Sequence, residues 1–225
     1  MSVEFGEYFP LWTALTVKHR KILKEAAVFT KVPEGTILHN GKADCIGVML
    51  IFEGRLRAYI MSENGKEATL FRLLAHDMCV LSASCMFSSI QFEITIEAEK
   101  NTSFWLIPAD IYRSVMRQSA VLANYTNDLI TSRFTDVMWL IEQIIFKSMD
   151  ERLASFLLDE SRLENTQKLC ITHEQIARHL GSAREVITRL LKYFQEDGCV
   201  RLRRGGIEIT DMQKLEVKAE NPPPH

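Results

Sequence analysis

The chain has 225 residues, of which 47% are hydrophobic; that is enough to bury a core over one or two domains, so a globular protein is expected. A formal net charge of −2 excludes a general coating affinity for nucleic acid, and no apolar run approaches the roughly 18 residues of a membrane helix. Cys45, Cys79, Cys85, Cys170 and Cys199 are odd in number and scattered, which excludes a small secreted disulfide framework and predicts reduced thiols.

The opening MSVEFGEYFP has no charged segment leading into an apolar core, so the expected location is the cytoplasm, with no membrane partner. A helix is predicted from about Thr16 to Ala27. Short β-type runs follow: VFTKV, TILHN, CIGVMLIFE, RLRAYIMS, EATLFRLL, FEITIEA and SFWLIPA. They are broken at Pro33-Glu34-Gly35, Asn40-Gly41, Glu53-Gly54 and Asn64-Gly65. Seven short strands at this spacing predict an antiparallel sandwich or β-roll. Trp12, Trp105 and Trp139 lie among apolar neighbours and read as core, while His39, His173 and His179 read as surface or capping positions.

From Ala109 to Lys147 there is no Pro, and Val115, Leu122, Leu129, Ile130, Val137, Leu140, Ile141, Ile144 and Ile145 recur at intervals of three, four and seven. This predicts one long helix, close to 60 Å at about 1.5 Å per residue, more than a small sandwich can cover. A parallel two-stranded coiled coil with a second copy is the natural use of its seam, with Leu122, Leu129, Val137, Leu140 and Ile144 as the dimer contacts. Ser148 with Glu151 has the spacing of a capping box and opens a helix to about Glu164, which makes the 146–148 junction the expected hinge.

The stretch ITHEQIARHLGSAREVITRLLKYFQEDGCVRLRRGGIEI, residues 171–209, is the most informative. Thr172 and Gln175 have capping-box spacing, and Ile176, Ala177 and Leu180 form an apolar face ended by Gly181. Ser182 and Glu185 repeat the spacing, and Val186, Ile187, Leu190, Leu191 and Phe194 make the next stripe. Two short helices around one turn, then a hairpin, describe a winged helix-turn-helix.

The polar face of the second helix carries Arg184, Glu185, Thr188, Arg189 and Lys192. An arginine fork suits guanine O6 and N7, and a glutamate suits the cytosine amine. Double-stranded DNA is the expected partner, with Thr172, Ser182 and Arg203 joining those five as contacts. Residues 172–206 hold seven Lys or Arg against four Asp or Glu, so the basic end of an acidic chain is the DNA end. The AENPPPH tail reads as a disordered end.

GSAREVITRLLKYFQEDG resembles the recognition segment of the cyclic-AMP receptor protein and fumarate-nitrate reductase regulator superfamily of bacterial transcription factors, known as Crp/Fnr. The resemblance extends to the VPEGTIL and IFEGRLR turns and so over nearly the whole chain. It implies base reading by Arg184, Glu185 and Arg189, and a wing at Arg201, Arg203, Arg204, Gly205 and Gly206. The implied fold is α+β: a cyclic-nucleotide-binding-like β-roll for sensing an effector at 1–110, a long dimerisation helix at 111–147 and a winged helix-turn-helix at 148–218, with the tail at 219–225. A homodimer would place paired recognition helices about 34 Å apart on a pseudopalindromic operator, with RNA polymerase as a further partner and an unknown small molecule or redox signal as effector.

Cyclic-nucleotide binders of that superfamily hold the phosphate with a Gly-Glu-Leu turn and a later arginine. The corresponding region here has no arginine between Arg72 and Arg113, and Lys100 is its one cation apart from His76. Burying a phosphate without a charged partner is costly, so cyclic AMP is not the expected effector. His76, Cys79, Leu81, Ser82, Ser84 and Cys85 mark the candidate effector pocket. Its thiols and imidazole leave open a haem or metal, a redox disulfide, or plain apolar filling by buried cysteines. No cysteine precedes Cys45, which argues against an N-terminal iron–sulfur cluster. A cupin-type β-roll enzyme would need H-x-H metal ligands, yet the sheet region offers His39 and His76, far apart; an enzyme is not expected.

Overall fold

The computed structural model describes residues 4–40, 46–86 and 93–219, with backbone alone for 84–86. Expectations for Cys45, for the side chains of Ser84 and Cys85, and for residues 220–225 of the tail lie outside the described residues. The chain divides into two compact units, Met1–Ile60 with Leu70–Val137, and Met61–Thr69 with Met138–His225.

The first unit opens with α1 (Phe5–Tyr8), a 3-10 turn at Trp12–Ala14 and α2 (Val17–Ala26), for which Thr16 is the N-cap, its side chain accepting from His19 N at 3.2 Å. Then come β1 (Val28–Val32), β2 (Ile37–Asn40), β3 (Val48–Glu53), β4 (Leu56–Met61), β5 (Glu67–Leu73), β6 (Met78–Cys79), a 3-10 segment at Leu81–Met86, β7 (Thr95–Ala98) and β8 (Thr102–Ile107). They form two four-stranded sheets, ordered β1-β8-β3-β6 and β2-β7-β4-β5. Every predicted run holds a strand, and β6 is an addition, pairing Cys79 with Met49 and Met78 with Leu50.

Alternation along the strands decides the core. Ile51, Leu56, Ala58, Leu73, Ile96 and Phe104 fill one cluster, and each of them except Ala58 contributes roughly 1.5–3 kcal/mol by leaving water. The other cluster joins Leu50 and Trp105 to Phe5, Leu23, Tyr112 and Leu122 from the helices and to Phe9 just after α1. The β3–β4 turn needs Gly54: at φ +99° a Cβ there would fall 2.5 Å from Asn101 O. Buried charge is neutralised locally, since Glu99 bridges Arg55 at 3.0 Å and Arg72 at 2.8 Å. His39, expected at the surface, is buried in β2.

The single long helix expected over 109–147 is two helices, α3 (Ala109–Gln118) and α4 (Ala120–Phe146). Ser119 is extended, at φ −130° and ψ 103°, and its Oγ accepts from Leu122 N at 3.3 Å. Tyr112 Oη lies 2.9 Å from Thr126 Oγ1 and ties the two helices together. The 27 residues of α4 span about 40 Å rather than 60.

The second unit contains α5 (Met149–Leu163), β9 (Lys168–Leu169), α6 (His173–Leu180), α7 (Arg184–Glu196), β10 (Val200–Arg203), β11 (Gly206–Ile209) and α8 (Met212–Ala219), with the sheet ordered β10-β11-β9. Leu153, Leu157, Ile176, Ile187, Leu191, Phe194, Val200, Ile207 and Leu215 make its core. The predicted Ser148–Glu151 capping box is present, with Ser148 N donating to Glu151 Oε2 at 2.6 Å. Neither β9 nor α8 was expected. Lys218 of α8 is held by Asp197 at 2.6 Å, and that bond lowers the carboxyl's pKa. No helix among the described residues is long and apolar enough to cross a membrane.

Candidate nucleic-acid interface

Local chemistry fixes both ends of α6 before any packing is considered. At the start of α6, Thr172 N donates to Gln175 Oε1 at 2.8 Å while Gln175 N donates to Thr172 Oγ1 at 3.2 Å, the reciprocal bonds of a capping box. Gly181 ends the helix in the left-handed region, at φ 65°, where a side chain would be strained. Ser182 N then bonds back to Ala177 O at 3.0 Å. That bond draws Ser182 into the end of α6, so the N-cap of α7 is Ala183, and the expected Ser182–Glu185 capping box does not form.

The apolar stripe of α7 sinks Ile187, Leu191 and Phe194 into the core, which turns the opposite face outward. Arg184, Glu185, Arg189 and Lys192 are exposed, Thr188 is half-buried, and all five line one surface concavity. These are the five side chains read from the sequence as base and backbone contacts. Three cations and one carboxylate give the face a positive balance while keeping an acceptor for an amine. Thr172 is exposed at the start of α6, where backbone N–H groups and the helix dipole favour a phosphate, although its own side chain is engaged in the cap. Ser182 is half-buried beside the turn.

The wing is β10 with β11, in register from Val200↔Ile209 to Arg203↔Gly206. Gly206 packs so closely on β9 that a Cβ would meet Leu169 O at 2.5 Å. Arg203 pairs with Glu208, and Arg201 lies 3.6 Å from the same carboxylate, while Arg204 is exposed at the tip. A contact that the sequence did not announce joins α6 to this face: His173 Nδ1 lies 3.0 Å from Thr188 Oγ1. Burial, and secondly the charge of Arg184, lower its pKa, so the ring is biased toward the neutral form. His179 is likewise buried, not a surface residue, with its ring stacked on Phe156 at 5.2 Å.

Of the candidate effector residues that are described, Cys79, Leu81 and Ser82 lie together and His76 lies apart from them. His76 is exposed, at φ 75°, with its ring parallel to Tyr8 at 5.6 Å on one core cluster. Cys79 is buried in the other cluster, where burial raises its thiol pKa. Leu81 is buried with it, and Ser82 Oγ is spent on Gly47 O at 2.6 Å and Cys79 O at 3.1 Å. Among the described residues no three His, Cys, Asp or Glu converge as a metal site.

The expected dimer contacts also separate. Leu122 is 0% exposed inside its own unit, a correction caused by the Ser119 break, which folds the start of α4 onto the core. Leu129 packs partly on that core, Val137 and Leu140 are half-buried, and Ile144 is exposed. The open apolar seam is Phe134, Met138, Ile141 and Ile145, at intervals of four, three and four, with Phe134 and Ile145 each 64% exposed.

The Crp-like helix-turn-helix domain family matches residues 151–217. A Crp/Fnr-family protein from Eubacterium rectale, known from a crystal structure, is 55% identical and superposes with a TM-score of 0.93, over 96% of this chain and 100% of that one. The cyclic AMP receptor protein of Thermus thermophilus is 23% identical, over 74% of this chain and 76% of its own length. The fumarate and nitrate reduction regulatory protein of Yersinia pestis is 24% identical, over 86% and 79%.

Proposed function

We propose, from the premise that this chain belongs to the Crp/Fnr family of DNA-binding transcriptional regulators, that it binds a pseudopalindromic operator as a homodimer with α7 in the major groove. The observation that carries this reading is the gathering of Arg184, Glu185, Thr188, Arg189 and Lys192 on the outward face of α7. In this reading Arg184 and Arg189 bond guanine O6 and N7, and Glu185 accepts from a cytosine amine. Thr172, Ser182, Lys192 and Arg203 meet the backbone or groove edges and set the docking register.

Three parts of the chain take separate tasks in this reading. The β-roll of 1–110 holds the effector, the exposed seam of α4 meets a second copy, and 148–218 reads DNA. The effector acts by its differential affinity for two arrangements of the dimer. Cyclic AMP is not that effector: the region after Arg72 supplies no arginine before Arg113, and Arg55 and Arg72 are already paired with Glu99. Titration calorimetry with cyclic AMP should give no heat of binding; micromolar affinity would overturn that part.

For the DNA reading, the purified protein is offered a randomised pool of about 30 base pairs at low ionic strength, and bound duplexes are sequenced. An inverted repeat should emerge. No enrichment of any duplex would sink the reading.

A further inference from the structure

We propose that His173 is a positioning residue for base readout, holding Thr188 in one rotamer and so deciding whether its hydroxyl or its methyl group is offered to the groove. The proposal rests on α7 being the reading helix. A threonine in a helix divides between two χ1 rotamers, because one of them lets Oγ1 bond a carbonyl in the preceding turn. Thr126, Thr131 and Thr135 in α4 all take that bond, to Leu122 O at 2.7 Å, Asn127 O at 2.9 Å and Thr131 O at 3.0 Å. Thr188 instead has its Oγ1 turned toward α6, 3.0 Å from His173 Nδ1.

The difference matters because the two ends of a threonine side chain read different things. Its hydroxyl bonds polar base edges, while its methyl packs on the thymine 5-methyl group. Exchange of rotamers therefore changes what position 188 recognises without changing the residue. His173 is well placed to prevent that exchange. It is the first residue of α6, and the two reciprocal bonds of the cap join Thr172 and Gln175 on either side of it, which holds this first turn in place before the ring is oriented. The imidazole is half-buried and lies close enough to Arg184 to feel its charge, and both bias it toward the neutral form, which pairs with a hydroxyl in either tautomer. A single bond thus links the first helix of the motif to the middle of the reading face.

The test uses the full chain and a labelled duplex selected by the parent protein from the randomised pool, together with every single-base variant of one half-site. His173→Ala should flatten the preference at one base step, from about tenfold to about twofold, while the preferences set by Arg184, Glu185 and Arg189 persist. His173→Asn, which keeps a polar atom near the Nδ1 position, should restore it. In a Thr188→Val background His173→Ala should have no further effect on base preference. A uniform loss across all duplexes, or an unchanged preference profile in His173→Ala, overturns the positioning role while leaving the DNA reading intact. A parent that selects no duplex overturns both. Far-UV circular dichroism identifies any variant that has not folded, and the asparagine variant then carries the comparison with Thr188→Val.

Discussion

Arg184 and Arg189 are exposed and make no contact that the core depends on, so truncating either removes groove chemistry without opening a cavity. Arg184→Ala or Arg189→Ala should each weaken operator binding and relax the base preference by about 1–3 kcal/mol, measured by band shift against single-base variants, with the thermal midpoint unchanged. Operator binding equal to that of the parent would remove them as base readers. The cysteines divide just as sharply. Cys170 is exposed, whereas Cys79 and Cys199 are buried and burial raises both their thiol pKa values. Because the thiolate is the reactive species, a maleimide should label Cys170 in the native protein and reach Cys79 and Cys199 only after unfolding. Rapid native labelling of Cys79, located by peptide mass mapping, would support the redox-thiol reading.

At the scale of elements, the corner between α3 and α4 carries a pH-dependent contact. Tyr112 is fully buried, its hydroxyl meets Thr126, and desolvation pushes its pKa up to about 12. The folded state therefore favours the neutral phenol. Its contribution is complete below pH 10 and is lost between pH 10 and about 12, as the unfolded chain ionises and the folded one does not. Tyr112→Phe should cost about 1 kcal/mol at neutral pH and flatten the alkaline loss of stability seen in urea titrations from pH 8 to 11. An unaltered alkaline slope would show that Tyr112 is not its source.

That corner was invisible in the sequence because Ser119 carries neither Gly nor Pro to mark it, and the apolar recurrence of three and four continues across the break. The same continuity makes Leu122 read as a partner contact when it is core of its own unit. The elements that could be read were those with their own punctuation: Thr172 and Gln175 at one end of α6, Gly181 at the other, and Ser148 with Glu151 before α5. Ser182 misled because a good capping residue was claimed by the end of the previous helix. The two residues of β9 were too few for any pattern, and α8 is held by tertiary contacts such as Lys218 with Asp197 that no local spacing announces.

For the whole molecule, the seam of Phe134, Met138, Ile141 and Ile145 leads to a prediction that couples assembly to DNA. A lysine at a coiled-coil core position places a charge where two apolar faces must meet, so Ile141→Lys with Ile145→Lys should give a monomer in sedimentation velocity. Both side chains are exposed in the single chain, so the substitution should leave its fold unharmed, as far-UV circular dichroism would check. Such a monomer keeps α7 intact and retains the base preference of one half-site, yet it loses the gain from tethering two heads, about 10²–10⁴ in affinity. Insertion of five base pairs between half-sites supplies the matching test, because about half a helical turn carries them to opposite faces of the duplex. The parent should lose a comparable factor on the lengthened operator, while the monomer should bind both operators equally. If the lysine variant remains a dimer, or if the insertion weakens parent and variant alike, the two heads are not joined through this seam.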